Sequence, residues 1–408
     1  MKRQTDIRSL IEAYQLFFAG STPQYRIFSP YRICPIGAHV DHQHGLVSGF
    51  AFNSGIDFLF SPTETGKVEM CSLSFEGLMT FNVRREVDKP QRNWGDYLRG
   101  AVWAMQQDFA LRTGIRGVVR GSMPIGGLSS SAALLVGCVK ALAMVNNLTL
   151  SDLDVIHYAS EAERNYVGLK NGILDQACVV LCKKNQLLFL DTADSSYELI
   201  PFGNDVHRQP PFKIGIFFSG VTRNLKGTDY NLRVAECKTA AWMMQGYEDV
   251  QLKELKDTFL RDVPAEYLSK HQDKMPERFA KRARHFYSEC DRVRRGVEAW
   301  RKGDIKAFGQ CMFESCESSE KQYECGSDEL RALDDILRQT DGVYGGRFSG
   351  AGFKGAYIAL IDPDKTEEVS EKVKTEYLNR FPQYKNKYED YFCDTCNGAE
   401  FLNIDDAQ

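Results

Sequence analysis

No apolar run in this 408-residue chain approaches the roughly 20 residues of a bilayer-spanning helix. Positive charge is not in excess either. With 51 Lys and Arg against 55 Asp and Glu, the net charge is -4, so no general basic field attracts nucleic acid or an anionic membrane. An anionic ligand must be met by local groups. The GxxxxGK[ST] lysine of a Walker loop is missing, as is the HExxH spacing of a helical zinc site. CxxC occurs once, at Cys393-Asp-Thr-Cys396, with no second pair and no nearby His pair. It reads as two free thiols near a mobile C-terminus rather than a zinc site. The stretch MKRQTDIRSLIEAYQLFFAG carries Asp6, Arg8 and Glu12 within its apolar candidate, so it reads as an amphipathic helix rather than a secretory signal. Together with 12 scattered cysteines, this predicts reduced thiols and a cytoplasmic protein. Internal repeats and low-complexity tracts are absent.

What is present predicts a folded molecule of two domains. The content is 43% hydrophobic and 26% charged, as in globular proteins, and the length exceeds one ordinary core. The polar, proline-containing stretch 203–211 marks a boundary, giving an N-terminal domain over 1–205 and a C-terminal domain over 206–408. The chain is organised around Pro124-Ile125-Gly126-Gly127-Leu128-Ser129-Ser130-Ser131-Ala132-Ala133, which runs into an apolar helix from about Ser130 to Asn146. A strand over 116–122 delivers the chain into this loop. Strand, glycine loop and helix N-terminus make an anion site, since unpaired N–H groups and the helix dipole face the loop. A capped helix after a glycine turn accounts for the same letters.

Around it, Ile27, Tyr31 and Ile33 fall at strand spacing, and short strands fill 46–83, split as 46–56 and 57–60 with another at 67–72. Between the first two strands lies Ala38-His39-Val40-Asp41-His42-Gln43-His44. His39, Asp41 and His42 sit too close in sequence to share one metal from a regular element, so a polar sugar-binding loop fits better than a metal cluster. A solvated turn is the plain alternative. Helices are predicted over 94–109, 152–167, 229–247, 250–260, 276–302, 304–318 and 328–340, with Ser151 as a cap. Glu163 lies on one of them. Asp175, set between Ile173, Leu174, Ala177 and Cys178, is a lone acid in an apolar setting and a functional candidate. Arg282, Arg284, Arg292, Arg294 and Arg295 read as a wet helix face. A second glycine loop, 344–355, precedes a strand over 356–362 and is expected to pack against the first loop.

These three stretches, in this order, resemble the three motifs of the GHMP small-molecule kinases, most closely the galactokinase branch. Arg32 to Asp41 resembles the sugar signature, Pro124 to Ala132 the PxxxGLSSSA loop, and Gly345 to Gly355 the third motif. The likeness extends to Glu163 and Asp175 and covers nearly the whole chain. It implies an α+β, two-domain architecture: an N-terminal ribosomal-protein-S5-like domain with the phosphate loop, a helix-rich C-terminal domain, and an active site between them. It further implies that Asp175 is the base for an anomeric hydroxyl and Arg32 stabilises the charge there. Ser131 and Glu163 would hold magnesium, and Ile125, Gly126, Gly127, Leu128, Ser129, Ser130 and Ser131 would bind ATP. Ala38, His39, Val40, Asp41 and Tyr230 would line the sugar.

Two departures stand out. The phosphate loop is one residue shorter than PxxxGL, and galactokinases carry Gly-Glu-His-x-Asp where this chain has Gly37-Ala38-His39-Val40-Asp41. A carboxylate on the sugar's C6 would be repelled by that glutamate, and alanine removes the clash. The wording around Tyr31-Arg32, Ala38-His39, Tyr230 to Arg233 and Tyr344 to Phe353 resembles the plant galacturonokinases. The implied activity is transfer of phosphate from ATP to C1 of D-galacturonate. Tyr31, His42 and Arg233 are the candidate partners of the carboxylate. Galactose phosphorylation and a sugar-binding regulator without turnover are the rivals. The partners expected are a small sugar or sugar acid, with no nucleic acid, no membrane, and a monomer or weak homo-oligomer.

Overall fold

A computed structural model describes residues 7–124, 126–221, 230–353 and 355–404. Helix α1 (Ile7–Phe17) forms on the spacing of Ile7, Leu10 and Tyr14, which bury against Leu59, Cys71 and Val118. The chain continues through β1 (Tyr25–Ile33), β2 (Leu46–Thr63), β3 (Lys67–Ser72), β4 (Leu78–Asn82), α2 (Gly95–Met105) and β5 (Gly114–Gly121). Next come α3 (Ser130–Val145), α4 (Asp152–Glu161), α5 (Leu174–Leu181), β6 (Gln186–Asp191) and β7 (Tyr197–Pro201). These strands form one sheet, ordered β1-β2-β5-β3-β4, with β6 and β7 branching from the start of β2. α3 lies against it, apolar on nearly every side because neighbours cover it all round.

A second set follows: β8 (Lys213–Phe218), α6 (Tyr230–Gly246), α7 (Ala265–His271), α8 (Glu277–Lys302), α9 (Ile305–Lys321) and α10 (Asp328–Arg338). The chain then forms β9 (Val343–Phe348), β10 (Ala356–Ile361), α11 (Thr366–Arg380), β11 (Glu389–Cys393) and β12 (Glu400–Leu402). Strands β11-β8-β10-β9 make an antiparallel sheet of their own. β12 does not join it. It returns to pair antiparallel with β1, placing Arg26 opposite Leu402 at the edge of the first sheet.

The α+β class is as expected, but four local expectations are corrected. Residues 46–60 do not split into two strands. Leu46–Thr63 is continuous, and the irregularity is a bulge between Pro30 and Tyr31 opposite Gly55, where an added Cβ would lie 2.2 Å from the Ser29 carbonyl oxygen. Residues 250–260 are not a helix but hold the 3-10 turns Leu255–Asp257 and Leu260–Asp262. Val250, Leu252 and Leu255 are exposed, so no apolar stripe is buried to stabilise so short a helix. The arginines of α8 are not one wet face. Arg282 and Arg292 are buried in ion pairs with Glu236, Glu324 and Glu289, at 2.7–2.8 Å, while Arg294 and Arg295 face water. Finally, the cysteine pair is not near a loose end. Cys393 closes β11, and Thr395 bridges to Phe52.

Candidate active site

Arg32 and Tyr31 are neighbours on β1, so their side chains leave opposite faces. Tyr31 packs on Phe52, with its hydroxyl toward the Gly121 turn. Arg32 points to the other face, where its guanidinium contacts Asp175 Oδ1 through Nε at 2.8 Å and Nη2 at 2.7 Å. A third donor, Nη1, reaches the Gly127 carbonyl at 3.0 Å, and the Arg32 amide donates to the Leu128 carbonyl. One side chain thus ties the first strand to the phosphate loop and to the first turn of α5. Asp175 keeps its second oxygen for the Ser129 hydroxyl, and its side chain is 20% exposed. It is a carboxylate held in place yet open to a ligand, as a general base requires.

The Ser129 bond has a second effect. Ser129 is the N-cap of α3, in the left-handed region at φ 58°, yet its side chain caps nothing. The amides of the first turn of α3, including those of Ser130 and Ser131, are left without the side-chain acceptor that usually meets them, as an anion site needs. Gly126 and Gly127 bring the loop against the second glycine loop, backbone to backbone. A Cβ on Gly127 (φ +78°) would stand 2.7 Å from the Ser349 carbonyl oxygen, and one on Gly126 3.0 Å from Gly355 Cα. Ser349 Oγ donates to the Gly127 carbonyl at 2.7 Å. The expected packing of the two loops is therefore present. Ile125 lies outside the described residues.

Glu163 is 1% exposed and has no cationic partner among the described residues. Its Oε2 accepts from Asn171 Nδ2 at 2.8 Å and Gln176 Nε2 at 2.6 Å, and the Ser131 hydroxyl bonds to the same carboxylate. Burial, and then the negative charge of Asp175, raise its pKa. Asn171 Oδ1 and Gln176 Oε1, beside it, are buried with no partner among the described residues. A buried carboxylate, a hydroxyl and orphaned amide oxygens are the hard donors that magnesium takes, so the residues present fit that ion.

Ala38 to Gln43 is not a solvated turn, since every residue of it is buried. Val40 is fully enclosed and its carbonyl accepts the amides of Gln43 and Gly45, closing the loop. Ala38 is held through its carbonyl by His285 Nε2 at 3.0 Å. His39, at φ 66°, sets Nε2 3.1 Å from the Gly350 carbonyl and stacks on Tyr323 at 4.2 Å between centroids. Asp41 abuts Gly172, where a Cβ would come 2.5 Å from Asp41 Oδ2. Burial, then Asp175, push the Asp41 carboxyl up to about 6. Tyr230 opens α6 beside them, and burial with Asp41, Asp175 and Glu163 raises its phenol. Asp175, Arg32, Glu163, Ser131, Asp41 and Tyr230 therefore share one neighbourhood. Of the candidate partners for a sugar carboxylate, two are directed elsewhere. Tyr31 is on the far face of β1, and Arg233 is spent on Glu236 and the carbonyls of Tyr323 and Glu324.

Sequence reasoning missed Ser129 as the donor to Asp175, Asn171 and Gln176 as donors to Glu163, and His285 and Tyr323 against residues 38 and 39. Gln176 was legible as the neighbour of Asp175. His285 and Tyr323 belong to α8 and to the turn after α9, far from any motif, and no spacing points to them.

Comparison with known proteins bears on the whole arrangement. Residues 96–183 match the GHMP kinases N terminal domain and 297–379 match the GHMP kinases C terminal domain. A galacturonokinase of Arabidopsis thaliana is 37% identical over 403 residues, 94% of each chain. A galactokinase of Thermotoga neapolitana is 32% identical over 87% of this chain and 95% of its own. Among solved structures, Lactococcus lactis galactokinase complexed with galactose superposes with a TM-score of 0.88 at 26% identity, covering 98% of this chain and all of that one. Methanococcus jannaschii mevalonate kinase, at 16% identity and a TM-score of 0.64, shares the fold.

Proposed function

The chain belongs to the GHMP kinases, in the branch of ATP-dependent sugar kinases that holds the galactokinases and galacturonokinase, and from that premise we propose that it phosphorylates the anomeric hydroxyl of D-galacturonate. The observation that carries the choice of acid is Ala38. At the position where the branch's galactokinases have a glutamate, this chain puts a methyl group, buried at 5% exposure in the sugar loop. Its 37% identity to a galacturonokinase supports the same reading.

In this reading Asp175 accepts the proton of the C1 hydroxyl as that oxygen attacks the γ-phosphorus and ADP leaves. Arg32, locked between Asp175 and Gly127, holds positive charge where attacking and transferred oxygens meet. The amides of the first turn of α3 and of Gly126 and Gly127 cradle the polyphosphate. Glu163 and Ser131 would hold magnesium, which neutralises charge on the β- and γ-phosphates when bound. Asp41, His39 and Tyr230 orient the ring, so that the reaction needs positioning rather than a covalent intermediate.

Initial rates of ATP consumption on D-galacturonate, D-glucuronate and D-galactose, side by side with magnesium, test the proposal. Preference for galacturonate over galactose by more than about a hundredfold in kcat/KM, about 2.7 kcal/mol, is expected. A preference for galactose would make Ala38 a neutral loss and the enzyme a galactokinase.

A further inference from the structure

A buried chain of hydrogen bonds behind the sugar loop has its direction fixed by the protein. The Leu260 amide donates to Gln43 Oε1 at 3.2 Å, and Gln43 Nε2 donates to the His42 carbonyl at 2.9 Å. Two backbone groups thereby settle which end of the Gln43 amide is which. Nε2 also lies 3.0 Å from His42 Nδ1, so this ring nitrogen must accept. Burial, then His285, keep His42 neutral by lowering its pKa to about 3. The ring proton is consequently on Nε2, which faces the Tyr323 hydroxyl at 3.2 Å and donates to it. Tyr323 is fully buried, its phenol held protonated by burial, and the bond from His42 is the only hydrogen bond its hydroxyl makes among the described residues. Its own proton is left unspent, in an environment where an unmade hydrogen bond is costly.

The neighbour stacked on it is the complement. His39 Nε2 donates to the Gly350 carbonyl, so Nδ1 of the neutral ring is an acceptor, and it is buried without a partner among the described residues. A donor and an acceptor are therefore carried by two stacked rings whose centroids lie 4.2 Å apart, with Asp41 and Tyr230 near Tyr323. On a galacto-configured uronic acid the C4 hydroxyl, which can donate, and the C6 carboxylate, which can only accept, lie side by side. We propose that the Gln43–His42–Tyr323 chain makes Tyr323 an obligate donor to the C6 carboxylate, with His39 Nδ1 accepting from the C4 hydroxyl. This rests on the galacturonate reading and names the group that distinguishes acid from neutral sugar. Tyr323 is the specificity residue, and His42 and Gln43 position its proton.

Tyr323→Phe keeps the ring and its stacking and removes only the hydroxyl. The expected result is a loss of roughly 10- to 100-fold in galacturonate affinity and kcat/KM, as for a hydrogen bond to a charged group. Galactose affinity, measured by titration calorimetry on the same preparation, should change less than about threefold. His42→Phe, which leaves the Tyr323 proton free to turn, should give a smaller loss of the same selectivity and a similar thermal midpoint. Equal losses on both sugars, or an unchanged galacturonate-to-galactose ratio in Tyr323→Phe, overturn the chain's role while leaving the substrate assignment standing. Wild-type enzyme that binds and turns over galactose but not galacturonate overturns the substrate assignment itself.

Discussion

Replacing Asp175 by Asn separates its two jobs. The amide retains an oxygen for the Arg32 guanidinium and roughly the same volume, but has no charge and cannot take a proton at neutral pH. Arg32 is 4% exposed and would keep its bond to the Gly127 carbonyl while losing its only ion pair among the described residues. Removing one partner of a fully buried pair costs about 3–5 kcal/mol. Here the Asp175 side chain is 20% exposed and the replacement still accepts a hydrogen bond, so about 1–3 kcal/mol of stability is the expected loss. The chemical step should suffer more. Loss of a general base lowers the rate by about 10²–10⁴, or roughly 3–5 kcal/mol on the barrier. Coupled ADP release with saturating galacturonate, ATP and magnesium should show kcat falling by that factor. Both KM values should stay within about threefold, because neither substrate's binding depends on proton transfer. A variant with kcat within tenfold of wild type, folded by its thermal midpoint, would make Asp175 an anchor for Arg32 and refute the assigned base.

Other perturbations follow from the same geometry. Ala38→Glu should cut galacturonate kcat/KM by about a thousandfold, from roughly 4 kcal/mol between carboxylates 4 Å apart at an effective dielectric of 20, while galactose rates hold or rise; parallel rates on the two sugars check it. Glu163→Gln keeps the shape, and should leave the thermal midpoint unchanged or higher because a buried charge is gone, while raising the magnesium concentration for half-maximal rate more than about tenfold. Gly127→Ala forces a methyl to 2.7 Å from the Ser349 carbonyl oxygen at φ +78°. It should cost about 1–3 kcal/mol and raise the KM for ATP, seen in a denaturant melt and an ATP titration. Asp41 binds its proton more tightly when folded, since burial raises its carboxyl to about 6. The stability this proton adds is full below about pH 4 and lost as pH rises through 6, about 1.3 kcal/mol of it between pH 5 and 7. Asp41→Asn should remove that slope in unfolding curves, and an unchanged slope would contradict the burial argument.

The elements of the site legible beforehand were those whose chemistry is local. The glycine loop, Arg32, Asp41, Glu163 and Asp175 each sit in a short stretch whose residue types make sense together, and β1, β5 and α3 follow from spacing within the same stretches. What could not be read was set by distant packing. The Ser129 hydroxyl turns from capping its own helix to Asp175, 46 positions on. Arg282 reads as surface until Glu236 and Glu324 close over it. Tyr323 and His285 gain meaning only because α8 and the turn after α9 come to rest under residues 38–42. The stretch 250–260, read as a helix, failed in the opposite sense, since Val250, Leu252 and Leu255 stay exposed and, of its apolar residues, only Leu260 at the end is buried.

The return of β12 to β1 also orders events in time. During synthesis β1, which carries Arg32, is made first, and its outer edge stays unpaired until residues 400–402 have been released. An unpaired edge is open to other chains, so the first sheet passes most of translation as an exposed template. A fragment ending at residue 388 would hold all the catalytic candidates and still keep that edge bare, which marks the final strand as a guard against misassociation.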